Sequence, residues 1–471
     1  MAKPSTATPW IVHLNRSDFS SEFELGQRIR SELAHGRPVI LKGCAYERVD
    51  LTAKDLAEKL CLSMGQLHCV HDPDSAKRVN NYSYPHVSMT LDEFVSGVSD
   101  NGRIQCILDC PTLDGSRPSL IKHIDDGGTA WMRMHGECSD RQLIPLDVQK
   151  SSSWLLFHHA TYHTFAHHDA DGFGTWTQVL SGYKLWVFVR HRDMDKCKTF
   201  ARYQSAVLNY ANTERMSRGF YGPESNRFVV TAGPGDIIIQ PPGVFHEVYT
   251  PVPSVTQGGH FYSYDAAHLT EIARALSRRT NGFLTNQSHD SSRFTLEMMI
   301  VALYRVEDRE FRRKSLAALC RMVLQPSDYT TAAKLSPDLL LSIEDRKARK
   351  VSEKGIWATR LAVKGLARMI VEVLQLRQDT SRGKLPRVML VGDKKAEAEA
   401  EAEVKAKAKA KAKAKAKAKA KAKAKANSDD DDEEEEEEEE TLPDYLFDDG
   451  RWEHPGEVVD ISPLVSELAD V

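Results

Sequence analysis

The spacing of apolar and polar residues changes character twice along the chain. In the first hundred residues it is mixed. Residues 23–33 carry apolar side chains at helical spacing, and the short apolar run PVILKG predicts a buried strand that ends at Gly43. Thr90 and Glu93 in TLDEF form a capping-box pattern, which predicts a helix that starts just before Val95.

From about Arg103 the pattern becomes that of β-strands. Short runs of β-branched and aromatic residues follow one another, and Gly and Pro residues separate them. Several short strands at this spacing favour a β-sandwich or jelly roll over a parallel α/β sheet. Ser181 and Gly182, between two of the runs, predict a tight hairpin turn. The runs are residues 104–108, 154–158, 176–180, 183–189, 228–230 and 237–239.

Beyond Asp265 the pattern becomes helical. Up to about Leu376, apolar residues recur at three- and four-residue spacing in ARALSRR, in LEMMIVALYRVEDREFRRKSLAALCRMVL and in WATRLAVKGLARMIVEVLQL. So much apolar surface is expected either to pack on the β region or to pair with a second copy of the chain. The helical region is therefore a candidate interface for a homodimer.

Charge dominates the chain after Arg387. Residues 405–426 contain 11 lysines that alternate with alanines, and residues 429–440 are 12 consecutive acids. Because like charges would crowd every face of a helix in these runs, we expect a largely disordered tail. The tail could make weak contacts with nucleic acid or histones. The final segment, LPDYLFDDGRW and then ISPLVSELADV, regains apolar residues and could dock as a short motif.

Composition narrows the class of protein. The formal net charge of -4 hides a mildly basic body, because residues 1–393 carry 49 Lys and Arg against 43 Asp and Glu, which permits an acidic or nucleic-acid partner. The eight cysteines include no Cys-x-x-Cys pair, so reduced thiols of an intracellular protein are expected rather than a zinc ribbon or a redox dithiol. The sequence has neither an apolar signal region nor a run of about 18 apolar residues, so we expect no membrane contact and no secretion. Of the nucleus and the cytoplasm, the lysine run favours the nucleus.

A group of metal-ligand residue types surrounds the first aromatic strands. At the end of a strand, side chains at positions i and i+2 point to the same face, so His167 and Asp169 would converge. His246, which follows a predicted strand and a Pro-Pro-Gly turn, is the best candidate for a third ligand. Two neutral imidazoles and one carboxylate leave other coordination positions open, which suits an Fe(II) ion that must bind a cosubstrate and dioxygen together. His168 with Asp171 is an alternative pair; His167 is preferred because its spacing to Asp169 needs no bulge.

Other polar residues lie close to these positions in the sequence. His158, His159 and His163 are expected to be structural, although His158 is near enough to support a ligand. In YKLWVFV, Lys184 shares one face with two aromatic residues, and the opposite face is apolar too. An ammonium in such surroundings must either reach solvent or meet an anion. Thr164 could donate its hydroxyl to the same anion.

These residues resemble the JmjC family of Fe(II)- and 2-oxoglutarate-dependent oxygenases. The family's first pattern is Thr-x-x-His-x-Asp, a Trp seven residues after the Asp, and Gly-x-Lys-x-Trp. Its second pattern is Gly-Asp, an apolar strand, Pro-x-Gly and His, and a closing Gly-Gly-x-Phe follows. The resemblance covers about residues 103–265, and PVILKG resembles the entry segment of such proteins. The matching positions are Thr164, His167, Asp169, Trp176, Gly182, Lys184 and Trp186; Gly235, Asp236, residues 237–239, Pro241, Pro242, Gly243 and His246; and Gly258, Gly259, His260 and Phe261.

The resemblance implies a site and a reaction. It implies His167, Asp169 and His246 as iron ligands, and it implies that Lys184 and Thr164 bind the far carboxylate of 2-oxoglutarate. The implied reaction converts 2-oxoglutarate and dioxygen to succinate and CO2 while a substrate carbon is hydroxylated; on an N-methyl-lysine the hydroxylated product collapses to lysine and formaldehyde. The substrate would be a protein side chain, with histones as one candidate.

The implied fold is an α+β protein with a double-stranded β-helix (jelly roll, cupin-like) as its core. We expect an N-terminal α/β segment at 1–102 that packs on this core, a JmjC-like catalytic core at 103–265, a helical region at 266–386 and a charged tail at 387–471. Two departures from the family pattern bear on the hydrogen bonding around the cosubstrate and on the choice between a histone demethylase and another hydroxylase. His260 stands where many relatives have Asn beside the cosubstrate, and the sequence contains no zinc-binding cysteine cluster or other histone-reading module.

A function of another class is an alternative. In this interpretation the β region is a non-catalytic module, and the protein binds chromatin or histones through its charged tail. The 12 consecutive acids could hold histones, and the lysine run could contact nucleic acid.

Overall fold

The described part of the chain has a mixed α/β architecture with two large sheets. In the computed structural model, the described residues fall in one unit, Met1–Gln378 with Pro443–Val471, and a second unit comprises Asp379–Leu442. The lysine run and the acidic run lie outside the described residues, so the disorder expected for them stays a prediction. The described residues are 2–73, 85–100, 102–112, 117–134, 144–191, 202–207, 225–282, 284–285, 287, 289, 291–306, 309–330, 362–374, 376, 455 and 457–464.

The strands are short and most of them pair antiparallel. All six runs predicted as strands overlap a strand of the structure. The strands are β1 (Lys3–Pro4), β2 (Val12–Asn15), β3 (Val39–Lys42), β4 (Leu67–His71), β5 (His86–Thr90), β6 (Cys106–Pro111), β7 (Trp154–His158), β8 (Tyr162–His167), β9 (Gly174–Ser181), β10 (Lys184–His191), β11 (Ser225–Ala232), β12 (Ile237–Gln240), β13 (Phe245–Thr250), β14 (Ser254–Phe261), β15 (Phe311–Arg312) and β16 (Val458–Val459).

The strands form two large sheets. One has five strands in the order β1-β11-β10-β13-β8, and the other has nine in the order β2-β3-β12-β9-β14-β7-β6-β4-β5. The N-terminal residues extend the nine-stranded sheet at both edges, through β2 and β3 at one edge and through β4 and β5 at the other. The PVILKG prediction is confirmed, because Val39, Ile40 and Leu41 of β3 are fully buried and pair with β12.

Two predicted helices are confirmed. Ser21 caps the first helix by accepting a hydrogen bond from the Glu24 amide. Thr90 and Glu93 form a reciprocal capping box, although the helix starts at Leu91, closer to the cap than predicted. The helices are α1 (Glu22–Ala34), α2 (Ala53–Leu60), α3 (Leu91–Ser96), α4 (Asp126–Met134), α5 (Leu146–Ser152), α6 (Ala267–Arg279), α7 (Ser292–Ala302) and α8 (Arg313–Leu324), with further helical segments at 202–207 and 362–373.

One apolar cluster joins the two sheets. Its buried members come from β3, β9 and β12 of the nine-stranded sheet and from β10, β11 and β13 of the five-stranded sheet. Each large side chain removed from water in this way contributes roughly 1.5–3 kcal/mol, so the cluster fixes how the sheets face one another. Its strand members are Ile40, Val179, Ile238, Trp186, Phe188, Phe228, Val230, Ala232 and Val248.

The predicted hairpin at Ser181 and Gly182 is wrong. β9 pairs with β12 and β14, whereas β10 pairs with β11 and β13, so the turn carries the chain from one sheet to the other. Gly182 has a φ of 76°, and a Cβ at this position would overlap the Pro253 carbonyl oxygen. The turn signal was therefore present, but the pairing partners depend on long-range contacts that a local pattern does not contain.

The helical region is interrupted where the sequence predicts continuous helix. α7 ends at Ala302, and the short strand β15 precedes α8 and pairs with β16 from the far C-terminal segment. In that segment Val459 and Leu464 are buried, which confirms the expectation that it docks. No helix within the described ranges is long and apolar enough to span a bilayer.

The two adjacent glycines of β14 allow close packing. A Cβ at Gly259 would overlap the Ser152 carbonyl group and lie 2.7 Å from Trp176 Nε1. The Ser152 backbone and the buried Trp176 ring cannot move without a large energetic cost. We therefore expect Gly259→Ala to lower the free energy of unfolding by about 1–3 kcal/mol or more. Urea unfolding followed by tryptophan fluorescence measures this change.

Gly65→Ala is the matched control. No heavy atom lies within 4 Å of a Cβ built there, so this variant should unfold within about 0.5 kcal/mol of the parent protein. Equal losses in both variants would mean that the packing around β14 is not as tight as described.

Candidate metal centre and adjoining pocket

The pairing of β8 with β13 brings two predicted ligands together. His167 and His246 are directly opposed across the two strands, and their ring centroids are 4.4 Å apart. Asp169 follows two residues after β8 in extended conformation, and its Oδ1 lies 3.8 Å from His167 Nε2. One potential ligand atom from each residue lies within 4.8 Å of the others. The group could therefore hold a metal ion after small side-chain rotations.

Backbone carbonyl groups orient both imidazole rings. His167 Nδ1 lies 2.7 Å from the Phe165 carbonyl oxygen, and His246 Nδ1 lies 3.1 Å from the Val244 carbonyl oxygen. A carbonyl oxygen only accepts, so each Nδ1 carries the proton. The Nε2 lone pair of each ring is then free for a metal ion, which is how metal-binding histidines are commonly held.

Trp186 positions the other two members of the group. Its ring stacks on His246 at a centroid distance of 5.2 Å and an interplanar angle of 13°. Its Nε1 donates to Gln240 Oε1 over 3.1 Å, and the Gln240 amide donates to Asp169 Oδ2 over 3.2 Å. Since Oδ2 is occupied in this way, Oδ1 faces His167. The sequence contained Trp186 as a motif position, but it gave no signal for Gln240.

The group carries negative charge at neutral pH. Burial alone would raise the pKa of Asp169, but three nearby histidine rings and the Thr175 hydroxyl lower it to about 2. Burial lowers the pKa of His246 to about 4, so this ring is neutral near pH 7. A buried carboxylate beside a neutral imidazole is costly unless a cation joins it.

The alternative ligand pair is not assembled. His168 is fully buried, its ring packs against Phe245, and its Nδ1 faces the Asp169 carbonyl oxygen at 2.9 Å. Asp171 is engaged elsewhere, because its Oδ2 accepts from the backbone amide of His289 and lies 3.1 Å from that ring's Nδ1. Among the described residues, the group that could hold a metal ion is the one built on His167.

Lys184 lies inside the protein and does not reach bulk water. It is 1% exposed, and its Nζ donates to Thr250 Oγ1 over 2.7 Å. Burial lowers the pKa of Lys184 to about 7. No carboxylate among the described residues forms an ion pair with this amine. Of the two possibilities that the sequence left open, the structure does not show the one in which the amine reaches solvent.

Buried polar side chains lie near the Lys184 amine. Tyr162 lies opposite Thr250 in the β8–β13 pairing, and its hydroxyl is 2.7 Å from His71 Nδ1. The buried ring of His158 lies 5.1 Å from the Tyr162 ring, and its Nδ1 has no hydrogen-bond partner within the described part of the chain. Burial and the nearby Lys184 ammonium lower the pKa of His158 well below its usual value. His158 therefore lies near Lys184 and Tyr162.

Cross-strand pairs connect the surroundings of Lys184 to the metal group. Directly opposed residues on neighbouring antiparallel strands share a face of the sheet. The β8–β13 pairing contains a bulge between His246 and Val248, so that Thr164 is opposed to Val248 three residues before His167. The bulge reverses the alternation and places Thr164 on the face of His167. Thr164 is half-buried, between the row of Lys184 and the row of the histidines.

In comparisons with known proteins, no family model and no curated protein matches this chain.

A second polar wall adjoins Asp169. His260 is buried on β14, and its Nδ1 lies 2.9 Å from Thr175 Oγ1. Asp109 has a φ of 53° at a bulge in the pairing of β6 with β7, and the Gln287 amide donates to it. Burial raises the pKa of Asp109 to about 6. Strained backbone and bulges often re-aim side chains near functional sites, but the sequence gave no signal for either feature.

The buried histidines predict the pH dependence of stability. Burial lowers the pKa of His168, His246 and His260 to about 4, whereas the same rings titrate near 6.5 in an unfolded chain. The unfolded state then binds more protons between these pH values, so the stability of the metal-free protein should fall as the pH drops from about 6.5 to 4. Each ring contributes up to roughly 1.4 kcal/mol per pH unit. Urea unfolding in the presence of a chelator measures the profile.

The variant His260→Gln tests the assignment. Removal of one of the buried rings should make the profile shallower by about 1 kcal/mol per pH unit in this window. A profile that is as steep in the variant as in the parent protein would contradict a neutral, buried His260.

Proposed function

We propose that the protein is an Fe(II)- and 2-oxoglutarate-dependent dioxygenase of the JmjC type that acts on a protein side chain. The proposal rests on one observation: two groups on one face of a sheet require bound ions of opposite charge. The His167–Asp169–His246 group needs a cation, and the buried Lys184 needs an anion. Hydroxylation and lysine demethylation both fit this proposal, and histones are one candidate substrate.

The proposal includes a double-stranded β-helix as the core. From β7 to β14, the chain changes sheet at every step except from β10 to β11, which pair with each other. β7, β9, β12 and β14 lie in the nine-stranded sheet, and β8, β10, β11 and β13 lie in the five-stranded sheet. Such winding of eight antiparallel strands into two facing sheets supports a jelly-roll core with a site between the sheets.

The donor set suits Fe(II). Two imidazole nitrogens and one carboxylate oxygen on one side of an ion leave the opposite positions open, which is the pattern of non-haem iron oxygenases. When bound, the iron would supply the chemistry that couples decarboxylation of 2-oxoglutarate to hydroxylation of a substrate carbon. The chain would hold the ion through His167, Asp169 and His246, and Trp186 with Gln240 would keep the ligands in place.

In this proposal the cosubstrate lies between the two ends of the site. His246 and Thr250 are four residues apart on β13, which is about 13 Å between Cα atoms at the usual strand rise. The Lys184 amine contacts Thr250 at the far end of this span. A five-carbon dicarboxylate could face the metal group with one end and Lys184 with the other. The resemblance implies Thr164 at the far carboxylate, whereas the pairing puts Thr164 level with Val248, between these ends; Thr250 is the hydroxyl that contacts Lys184.

The first prediction from this proposal concerns Lys184. Because burial lowers its pKa to about 7, a carboxylate must bind to the protonated form, and the affinity for 2-oxoglutarate should fall as the pH rises above 7. The expected limit is about tenfold per pH unit for one linked proton. Calorimetric titration with Mn(II) in place of iron, from pH 6.5 to 8.5, measures the affinity without turnover.

Two variants control this experiment. Lys184→Met should bind 2-oxoglutarate at least tenfold more weakly and lose the pH dependence. Lys184→Arg keeps its charge through this range, so any binding that it retains should not vary with pH in this way. An unchanged affinity in Lys184→Met would remove the amine from the cosubstrate site.

A second prediction concerns the metal group. His246→Ala should abolish both Co(II) binding, seen by visible absorption, and iron-dependent formation of succinate. His35→Ala, at the end of α1 and away from the site, should leave both unchanged. Turnover of 2-oxoglutarate that survives in His246→Ala would contradict the proposal. Products are best sought by mass spectrometry, as 16-dalton additions or methyl losses in proteins incubated with the enzyme.

The second candidate function is a non-catalytic chromatin or histone-binding protein. The 11 lysines and 12 acids of the tail favour it, since acidic runs attract histones and basic runs attract nucleic acid. Capture of histones by the full chain, but not by a chain without residues 405–440, would support this role. Binding that disappears at modest salt would identify unspecific charge attraction instead.

A further inference from the structure

A cavity lies among helices, away from the residues of the candidate metal centre. It has a volume of about 250 Å³, and α1, the turn that precedes α4, α4 itself and the end of α7 contribute to its wall. None of the metal-group residues lines it, nor does Lys184. The cavity is therefore separate from the positions proposed for iron and 2-oxoglutarate.

Cations dominate the described lining of this cavity. Arg30, Lys122, Arg133 and Arg309 line it, whereas Asp126 is the one acidic residue in the described lining. Arg309 already pairs with Asp126 and also with Asp265 outside the lining. No carboxylate among the described residues pairs with Lys122 or Arg133. The lining thus keeps a surplus of positive charge.

Arg30 experiences this surplus directly. Its side chain is 15% exposed, and it donates to the His123 carbonyl oxygen over 2.6 Å. Its Nε lies 3.8 Å from Asp265, a carboxylate that it shares with Arg309. Burial and the Arg309 guanidinium lower the pKa of Arg30, which means that the surroundings of Arg30 disfavour its protonated form. An anion in the cavity would remove this penalty.

The remaining wall is apolar and aromatic. Phe23 is 49% exposed, and its ring packs edge-on against His123 at a centroid distance of 6.2 Å. Tyr264 and Ala130 line the interior. A ligand with an anionic head and a small aromatic or aliphatic body would match both halves of the wall.

We propose that this cavity binds a phosphate monoester of a small organic molecule. Guanidinium groups bind phosphate oxygens in pairs, and an ammonium adds a point charge, so three or four cations around one space favour a compact group with several oxygens. The volume of about 250 Å³ is small for a ligand pocket, which favours a single phosphoryl group with a small body.

Phenyl phosphate is the probe that tests this inference. Calorimetric titration of the full chain with phenyl phosphate, inorganic phosphate and phenol, at matched ionic strength, should give the tightest binding for phenyl phosphate and none for phenol. The double variant Lys122→Gln, Arg133→Gln should bind phenyl phosphate at least tenfold more weakly. Both side chains are exposed, so the melting temperature of the variant should equal that of the parent protein.

Lys54→Gln is the matched control, because Lys54 is an exposed lysine on α2 and does not line the cavity. It should bind phenyl phosphate like the parent protein. Equal binding by the double variant and the parent protein would overturn the inference, and so would binding of phenyl phosphate no stronger than that of phenol. An equal loss in Lys54→Gln would also overturn it, because the attraction would then come from net charge.

Discussion

The pairing of β13 with β10 on one side and with β8 on the other is the constraint on which the candidate site depends. Phe188, His246 and His167 form one row across these three strands. The hydrogen-bonded ladder sets this row, and with it the face toward which both imidazoles point. A slip of one residue in β13 would turn His246 to the opposite face and remove it from Asp169. Lys184, Trp186 and Phe188 share one buried face of β10. They resist such a slip, because the apolar cluster between the sheets includes the two aromatic rings.

Much of this arrangement could be predicted from sequence because it is local. The i, i+2 spacing of His167 and Asp169 predicted a shared face, and the alternation in β10 predicted that Lys184 points inward with its aromatic neighbours. Ser181 and Gly182 predicted a turn of the right length. The pairing across that turn was predicted wrongly, because which sheet a strand joins depends on burial against distant segments.

The residues that support the site could not be predicted for the same reason. Thr250 meets Lys184 only because two strands 66 positions apart in sequence contact each other. Gln240 meets Asp169 across 71 positions, and nothing in the Pro-Pro-Gly motif beside it indicates that contact. Thr164 is a motif position, yet its side chain faces the site only because a bulge in β8 reverses the alternation before His167. Bulges of this kind are set by pairing and seldom leave a mark in the sequence.

Charge balance connects the two ends of the proposed active site. Asp169 and Lys184 are both buried, and they do not form an ion pair with each other, so each retains a demand for a ligand of opposite sign. A divalent ion alone would give the buried set of charges a positive net charge, and a dicarboxylate alone would give it a negative one. Together they make the buried set of charges neutral, which in a medium of low dielectric favours joint occupancy. Because each buried charge without a partner costs free energy, metal and cosubstrate would therefore bind cooperatively.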